Sequence, residues 1–352
     1  MLIGSDSRAG GNRSFGAGIT GQRSDSILIL HIYPGHRGAT VLSIPRDSMV
    51  PILACAPGGP GVPGQQADPA QRERINATYA YGGPACLWKT IESQTSIRID
   101  HFIALTFTGF ERIVNDIGGV DICLPQAVDD PDSGLHLSAG LHHVMGPEAL
   151  AFWRERHIGT GSDLQRIARD QYLMASLVQG IERADILGNP SKLYSIAVDA
   201  ASAMTTDSGL DLGTMLRIAG SLRGLSSRSV DFVQVPVVPY PLDPGAEVIF
   251  RQPQAGELFS AIARDTALPP HGPGKPGNEA ARAPRAGSPT PTQPASPRGS
   301  TPAPAPRSPS ASAPGGNLNR TYGGISGNAQ VCHDRGAFTG GDAPSDFSGS
   351  GG

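Results

Sequence analysis

Over the first 265 residues, short runs rich in Val, Ile, Leu and Phe alternate with stretches that have helical apolar spacing. The apolar runs are bounded by polar loops and predict strands at residues 26–33, 40–44, 101–107, 120–124 and 229–235. This alternation predicts an α/β layered fold built around one sheet. The opening Met-Leu-Ile-Gly-Ser-Asp is typical of the end of a buried strand, so we expect further residues upstream.

Helix starts are indicated by capping residues and prolines. Thr108 and Ser162 begin segments with capping-box spacing, and Pro84 and Pro147 suit a first helical turn. After residue 162, an apolar stripe predicts a helix with one packed face and one face available for binding. The stripe consists of Ile167, Met174, Val178 and Ile181. Further helices are predicted at residues 191–204, 210–222 and 256–263.

The composition changes sharply near Thr266, where a Pro-, Ala-, Ser- and Gly-rich segment begins. Of the chain's 32 prolines, 14 lie between Pro269 and Pro314. Such a segment buries too little apolar surface to offset the entropy of ordering. We therefore predict one domain at residues 1–265 and a disordered tail at 266–352. The tail is mildly basic, which permits weak contact with a cell wall or lipid headgroups, although a solvated tail is the simpler interpretation.

Charge and hydropathy exclude several functional classes. The net charge of -3 gives no global reason to expect nucleic-acid binding, and no basic recognition helix is evident. No apolar run approaches the roughly 20 residues of a membrane span, and nothing resembles a secretory signal peptide.

Four cysteines without close Cys-x-x-Cys spacing favour disulfides over a metal or redox motif. Pairing Cys55 with Cys86 would close a Pro/Gly-rich loop and fits an oxidising, extracytoplasmic compartment. Cys123 with Cys332 is the remaining pair. Buried free thiols are the alternative, because cysteine is commonly buried.

Three polar clusters adjoin predicted strands: Gly4-Ser-Asp-Ser-Arg8, Arg23-Ser-Asp25-Ser and Ser43-Ile-Pro-Arg46-Asp47. Loops at strand ends gather into one site in layered α/β folds, so the clusters are expected to converge. Asp6 and Asp25 supply the oxygen ligands that Mg²⁺ prefers. The arginines supply planar forks that fit phosphate oxygens. Taken singly, each residue is more typical of a turn cap or a surface ion pair.

A later segment adds further arginines, in Trp153-Arg-Glu-Arg156 and in Asp163-Leu-Gln-Arg166-Ile-Ala-Arg169. So many guanidinium groups in one segment indicate an anionic ligand. Arg154 and Arg156 point about 200° apart on a helix, so both face one ligand only if the helix ends nearby. Ile158-Gly-Thr-Gly161 supplies such a break.

Together these motifs resemble the LytR-CpsA-Psr family of cell-envelope proteins, and its actinobacterial branch in particular. The resemblance runs from about residue 1 to residue 187 and depends on the order of eight motifs. Beside the segments already quoted, the motifs are Ile75-Asn-Ala-Thr-Tyr79 with Gly82-Gly83, Asp116-Ile-Gly-Gly-Val-Asp121, Gly146-Pro-Glu-Ala-Leu150, and Asp163 through Gln171.

The resemblance implies a phosphotransferase that moves a glycopolymer, such as teichoic acid, from a polyprenyl-pyrophosphate carrier onto a peptidoglycan acceptor. It implies a layered α-β-α fold with a central mixed sheet and a requirement for Mg²⁺ or Mn²⁺. It also implies a position at the outer face of the cytoplasmic membrane, on the lipid surface, through an anchor expected upstream of residue 1. No nucleic-acid partner is expected.

Site residues are carried over from the matching motifs. Asp6 and Asp25 correspond to the family's metal ligands. The pyrophosphate-binding arginines correspond to Arg23, Arg46, Arg154, Arg156 and Arg166, with Arg8 and Arg169 as further members of the same motifs. Arg46 and Arg156 are predicted to stabilise the charge that develops during transfer. Asp47 is the candidate general base, although Arg8 and Asp47 also fit structural salt bridges.

One position departs from the family pattern. Family members usually read Arg-Gln-Gln where this chain has Arg169-Asp170-Gln171, which puts a carboxylate in place of an amide. Asp170 either weakens anion binding directly or pairs with Arg166 one turn earlier and pulls it partly away from phosphate.

Three rival functions remain after this comparison of motifs. The chain could bind polyprenyl phosphates without turnover, or hydrolyse the pyrophosphate, or regulate transcription; the absence of a helix-turn-helix motif argues against the last. The nine histidines show no zinc-helix spacing, so ordinary surface positions are expected. Trp88 and Trp153 are predicted to be core residues, and the helices after residues 162 and 191 could form either a lipid groove or simple core.

Overall fold

The computed structural model describes residues 1–5, 24–36, 38–57, 64–66, 71–124, 126–155, 163–266, 268 and 324–326. In chain order the strands are β1 (Leu2–Ser5), β2 (Ser24–Ile32), β3 (Ala39–Ile44), β4 (Met49–Pro51), β5 (Arg72–Arg74), β6 (Ile103–Leu105), β7 (Val120–Leu124), β8 (Val128–Asp130), β9 (Leu135–Leu137), β10 (Gly140–Val144), β11 (Met204–Thr206), β12 (Val230–Gln234), β13 (Val237–Tyr240), β14 (Asp243–Phe250) and β15 (Gly324–Ser326). The α-helices are α1 (Ala77–Thr95), α2 (Phe107–Asp116), α3 (Gly146–Arg154), α4 (Asp163–Arg183), α5 (Pro190–Ala203), α6 (Leu212–Ser221) and α7 (Gln254–Ala263).

The centre of the fold is a seven-stranded sheet with the order β11-β6-β1-β2-β3-β12-β15. Strand β1 pairs antiparallel with β2 and parallel with β6, and β3 pairs parallel with β12, so the sheet is mixed. The predicted α/β layered fold with a central mixed sheet is confirmed. The predicted strand at 101–107 is shorter in the structure, because Phe107 already begins α2.

Strand β2 is an apolar run because both of its faces are covered. Ile27 and Ile29 pack on one side in a core that includes Leu87 from α1 and Leu258 from α7. Leu28 points to the other side, where the core includes Tyr172 and Ala175 from α4. Burial on both faces removes the polar alternation expected of a half-exposed strand. The sheet therefore separates two layers of helices.

A second core includes apolar residues of the antiparallel pair β7 and β10. Phe110 of α2, Leu150 of α3 and Leu173 of α4 are each no more than 2% exposed there. Strand β7 has the predicted bounds of 120–124, but it pairs with β10 in a separate two-stranded sheet. Trp153 is buried in this core, and Trp88 packs against the first core, so both predicted core positions are confirmed.

The helix starts agree with the sequence in part. Pro147 lies in the first turn of α3, as predicted, and Pro84 follows non-helical Gly82 and Gly83, which divide α1 into two helical segments. The predicted cap at Thr108 is wrong. Thr106 caps α2 instead, since its hydroxyl accepts a hydrogen bond from the Gly109 amide at 3.2 Å. The predicted cap Ser162 lies outside the described residues.

The apolar stripe of α4 packs as predicted. Ile167 is buried, Met174 and Ile181 pack against the second core, and Val178 packs against the core that contains Leu28. The helices predicted at 191–204, 210–222 and 256–263 correspond to α5, α6 and α7 within two residues at each end. Leu193 and Ile196 of α5 pack in the second core, which favours the core interpretation of these apolar residues.

One part of the expected tail departs from the prediction of disorder. Gly324–Ser326 forms β15, which pairs antiparallel with β12 at the edge of the main sheet. An unpaired strand edge offers a row of hydrogen-bonding groups, so a short segment from far along the chain can occupy it. Among the described residues, no helix is both long enough and apolar enough to cross a membrane.

Candidate functional site

Asp25 and Arg46 meet at one edge of the main sheet because of strand register. Strands β2 and β3 are antiparallel and pair Ile27 with Ile44, which places the start of β2 beside the end of β3. Arg46 follows β3 by two residues, and its Nη1 donates to the Asp25 Oδ1 at 2.6 Å. The predicted convergence of two strand-end clusters is therefore present in the structure.

Helix α4 brings Arg166 to the same carboxylate. Its Nη2 lies 3.7 Å from the Asp25 Oδ1, and the side chain is only 12% exposed. The Arg166 Nη1 is buried and has no hydrogen-bond partner among the described residues. These side chains line a pocket, called here the anion pocket, formed by Asp25, Ser26, Ile27, Leu28, Ser43, Ile44, Arg46, Arg166, Ile167 and Asp170.

Asp170 lies in the wall of the anion pocket, one helical turn after Arg166. Its Oδ2 accepts a hydrogen bond from the Ser26 hydroxyl at 3.1 Å. Burial raises the pKa of Asp170 from 3.8 to about 6, opposed by the charge of Arg166 and by the hydrogen bond from Ser26. The expected interaction between Asp170 and Arg166 is thus electrostatic, while Arg166 remains beside Asp25.

Asp47 connects the anion pocket to a second row of charges. The Arg46 Nε donates to the Asp47 Oδ2 at 3.4 Å, and the Arg74 Nη1 lies 3.5 Å from the Asp47 Oδ1. Arg74 also donates from Nε to the Glu247 Oε1 of β14 at 3.1 Å. Two guanidinium groups therefore flank Asp47, which favours the salt-bridge interpretation of this residue over a general base.

Arg74 is a site residue that the sequence reasoning missed. It lies at the end of β5, directly before the Ile75-Asn-Ala-Thr-Tyr79 motif, and its side chain is 36% exposed. A basic residue adjacent to a motif was the available signal. Glu247 could not be found in this way, because it lies outside the segment that carried the resemblance and reaches Arg74 only through the fold.

Two of the predicted pyrophosphate ligands lie outside the anion pocket. The Arg154 guanidinium carbon is 5.7 Å from the centroid of the Phe107 ring. Arg169 is buried, and its Nη2 donates to the backbone oxygen of Glu155 at 2.8 Å, while Nη1 lies 3.5 Å from the Glu155 carboxylate. Glu155 itself is 0% exposed, so this buried ion pair gives Arg169 a structural role linking α3 to α4.

Several predicted site residues lie outside the described residues. They are Asp6, Arg8, Arg23 and Arg156, and their roles stay predictions. The predicted disulfide between Cys55 and Cys86 is present, with a Cα–Cα distance of 5.4 Å. Gly82 faces this bridge, where an added Cβ would lie 2.7 Å from the Ala56 oxygen. Cys123 is also disulfide-bonded, and its predicted partner Cys332 lies outside the described residues.

The carboxylate of Asp25 in the anion pocket fits a metal ion whose other ligands come from a bound phosphate and water. The described residues contain no group of three or more His, Cys, Asp or Glu side chains arranged around a metal position. Mg²⁺ commonly uses one or two carboxylates together with substrate phosphates and water. Asp25, beside two arginines suited to phosphate, matches that pattern.

Curated relatives of this chain are cell-wall proteins. The probable cell wall biosynthesis protein LcpB of Corynebacterium glutamicum is 31% identical over 269 residues, covering 74% of this chain and 60% of the relative. TagV of Bacillus subtilis is named a polyisoprenyl-teichoic acid–peptidoglycan teichoic acid transferase. It is 28% identical over 218 residues, which cover 60% of this chain and 51% of TagV. The chain thus spans about half to three fifths of the length of these relatives.

Solved structures show the same fold. The crystal structure of B. subtilis TagV matches with a TM-score of 0.57 at 24% identity, covering 75% of this chain and 92% of that chain. The LytR-Csp2A-Psr enzyme from Actinomyces oris matches with a TM-score of 0.53 at 24% identity, covering 74% and 88%.

The family match extends past the segment that carried the motifs. The LytR_cpsA_psr family model covers residues 1–261, which includes every strand of the main sheet except β15 and all residues of the anion pocket. Because the match spans well over half of the chain, this protein belongs to the LytR_cpsA_psr family.

Proposed function

We propose that this protein transfers a glycopolymer from a polyprenyl-pyrophosphate carrier onto peptidoglycan through a phosphodiester bond. The observation that carries the proposal is the anion pocket, in which Arg46 and Arg166 meet at Asp25. The names of the relatives agree with it, since TagV is named a teichoic acid transferase that uses a polyisoprenyl-linked donor and peptidoglycan.

Hydrogen-bonding capacity in the pocket suits a diphosphate. The buried Arg166 Nη1 has no acceptor among the described residues. Leaving a buried donor unsatisfied costs about 1–3 kcal/mol, and a phosphate oxygen would satisfy it. Arg46 is 24% exposed, so its guanidinium can donate to a ligand while it keeps its contact with Asp25. Phosphate binding would therefore use a donor that has no partner among the described residues.

The metal that we propose is Mg²⁺, with Mn²⁺ as an alternative. Asp25, together with the predicted ligand Asp6, would hold the ion. When bound, it would neutralise phosphate charge in the donor. Arg74 and Asp47 would keep Arg46 oriented toward Asp25 through the contacts described above.

The chemistry is a substitution at the phosphorus atom on the glycan side of the diphosphate. An acceptor hydroxyl of peptidoglycan forms the new P–O bond, and the bond to the bridging oxygen breaks. Polyprenyl phosphate leaves with the electron pair of that bond, and the hydroxyl proton passes to solvent or to the leaving phosphate. Arg46 and Arg166 favour the reaction by stabilising negative charge on the phosphate oxygens.

We place the protein at the outer face of the cytoplasmic membrane, in the cell envelope and in contact with the lipid surface that holds the carrier. The Cys55–Cys86 disulfide supports this location, because such bonds persist in oxidising compartments. A polyprenyl carrier is held in the membrane, so a protein that uses it must also bind it beside the membrane.

The test combines purified protein, a lipid-linked glycan and a peptidoglycan acceptor, with Mg²⁺ or with EDTA. We expect a glycan–peptidoglycan conjugate and free polyprenyl phosphate in equal amounts, only when the metal is present. Free phosphoglycan without conjugate would identify a pyrophosphatase. Tight donor binding without either product would identify a carrier-binding protein.

A further inference from the structure

Asp170 is a buried carboxylate in the wall of a pocket that binds anions in our proposal. It is 8% exposed and accepts a hydrogen bond from the Ser26 hydroxyl of β2. The Trp153 side chain of α3 also acts on this carboxyl and lowers its pKa. A negative charge in the pocket wall opposes the binding of a phosphate.

Arg166 lines one pocket with two carboxyl groups, those of Asp25 and Asp170. The Asp25 Oδ1 is 3.7 Å from its Nη2, and its charge also acts on Asp170 one turn along α4. On the proposed function, a phosphate oxygen would approach the same guanidinium. We propose that Asp170 is a positioning residue that competes with the diphosphate for Arg166 and so sets how tightly the pocket holds its donor.

The groups around Asp170 decide when this competition operates. Arg166 and Arg169 face it from its own helix, Ser26 from β2 and Trp153 from α3. Asp25 and Arg46 line the same pocket. Arg169 forms an ion pair with the buried Glu155. Arg166 is therefore the cation for which Asp170 and a ligand compete.

Protonation of Asp170 would relieve the competition. Burial raises the pKa of this carboxyl to about 6, so the group is neutral well below that pH and charged above it. A neutral carboxyl can donate a hydrogen bond to a phosphate oxygen, whereas the charged carboxylate repels it. The affinity of the pocket for the diphosphate should therefore fall as the pH rises through about 6.

The experiment measures binding of geranylgeranyl pyrophosphate to the full chain by calorimetry, with Mg²⁺ present, at pH 5 and pH 8. Asp170→Asn keeps an oxygen to accept from Ser26 but has no charge. We expect it to bind the probe about tenfold more tightly than wild type at pH 8 and equally at pH 5. The probe titrates identically in every protein, so its own ionisation cancels in the ratio.

Two further proteins make the result specific. Asp100→Asn removes one surface carboxylate that is 70% exposed and pairs with Arg98, and it should bind like wild type. Asp170→Asn in an Arg166→Gln background should gain nothing, because the residue through which Asp170 acts is gone. Asp170→Gln, which also replaces the carboxyl with an uncharged amide, serves as a second variant if Asp170→Asn does not fold, as judged by circular dichroism.

The outcomes separate this inference from the function on which it depends. Equal affinities of wild type and both Asp170 variants for the probe at pH 8 would overturn the role of Asp170 but not the proposed function. The same conclusion would follow if Asp170→Asn still tightened binding in the Arg166→Gln background. Failure of wild type to bind the probe at either pH would overturn the proposed function and this inference with it.

Discussion

Helix α4 has a cluster of charged residues at each end, and the two clusters contain similar residue types. In the first turn, Arg166 faces Asp25, which also accepts a hydrogen bond from Arg46. In the last turn, Arg183 donates to Asp121, which lies 2.7 Å from the Nδ1 of His143. Each cluster thus contains one aspartate between two basic side chains.

The two clusters differ in burial and in the hydrogen bonds that remain available. Arg183 and Asp121 are 51% and 30% exposed, whereas Arg166 and Asp25 are 12% and 18% exposed. The His143 Nε2 lies 2.9 Å from the Gly118 oxygen, while the Arg166 Nη1 has no partner in the described part of the chain. Residue types alone therefore do not define the site. The site is defined by shielding from water together with a hydrogen-bond donor, Arg166 Nη1, that has no partner among the described residues. The distal cluster is therefore a control within the same helix.

Arg46→Ala tests this difference with the largest expected effect. The substitution removes a guanidinium that would stabilise phosphate charge, without opening the core, and should lower the transfer rate roughly 10²–10³-fold. Conjugate formation measured with saturating donor gives the rate, and a thermal melt verifies the fold. Arg183→Ala, in the exposed cluster, should leave the rate within about twofold of wild type. Equal losses in the two variants would remove the functional distinction between the clusters.

Asp25→Asn tests the metal assignment. It should weaken Mg²⁺ binding by roughly 10–100-fold, because a carboxylate is a far better ligand for this ion than an amide. Activity should fall with it. Calorimetry with Mg²⁺ in the presence of geranylgeranyl pyrophosphate measures the affinity. Asp121→Asn is the matched change in the distal cluster and should leave the affinity as it is; unchanged affinity in Asp25→Asn would show that Asp25 is not a ligand.

The sequence predicted local features of the fold more accurately than long-range ones. Residues 120–124 form a strand with the predicted bounds, because apolar residues at that density favour extended structure. Their pairing with β10 instead of the main sheet depends on distant packing. The same holds for β15, where three residues pair with an open strand edge that no local pattern reveals.

For the site, the motifs predicted which residue types meet but not how each is used. Arg166 and Arg169 lie in one motif with the same chemistry, yet one lines the anion pocket and the other is buried against Glu155. They are three positions apart, which turns their side chains about 60° from each other on a helix. That rotation, together with the position of α3, decides which arginine reaches the pocket.

Asp170→Asn should stabilise the protein at neutral pH. The folded-state pKa of Asp170 is about 6, above the unfolded value of 3.8, so the folded state binds the proton more tightly. Wild-type stability therefore falls as the pH rises from about 4 to 6 and stays lower above that. The variant lacks this loss, and its melting temperature at pH 7.5 should exceed that of wild type by a few degrees, with no difference at the acid end of the window.

The distal aspartate should respond in the opposite direction. Partial burial raises the pKa of Asp121, but hydrogen bonds from His143 and Arg183 outweigh it and leave the pKa lowered. Asp121→Asn should therefore destabilise the protein at pH 7.5, by less than about 1 kcal/mol because the cluster is exposed. Melting temperatures that shift the same way in both variants would contradict the assignment of a charge penalty to Asp170.

His143→Gln has the smallest expected effect and examines the distal cluster by itself. The hydrogen bond with Asp121 raises the pKa of His143 above 6.5. Because the folded-state pKa exceeds the unfolded one, the protonated histidine contributes stability below pH 6.5, and the contribution is lost as the pH rises through the folded value. Urea unfolding at pH 5.5 should show a loss of a few tenths of a kcal/mol, and at pH 9 almost none.

Salt distinguishes this surface effect from any influence on the anion pocket. The loss in His143→Gln at pH 5.5 should shrink further in 1 M NaCl, where the Debye length is about 3 Å and exposed charges are screened. Transfer activity at pH 7.5 should stay at the wild-type level at either salt concentration. A loss of activity in this variant would mean that the two ends of α4 are coupled, and that the distal cluster supports the position of Arg166 through the helix.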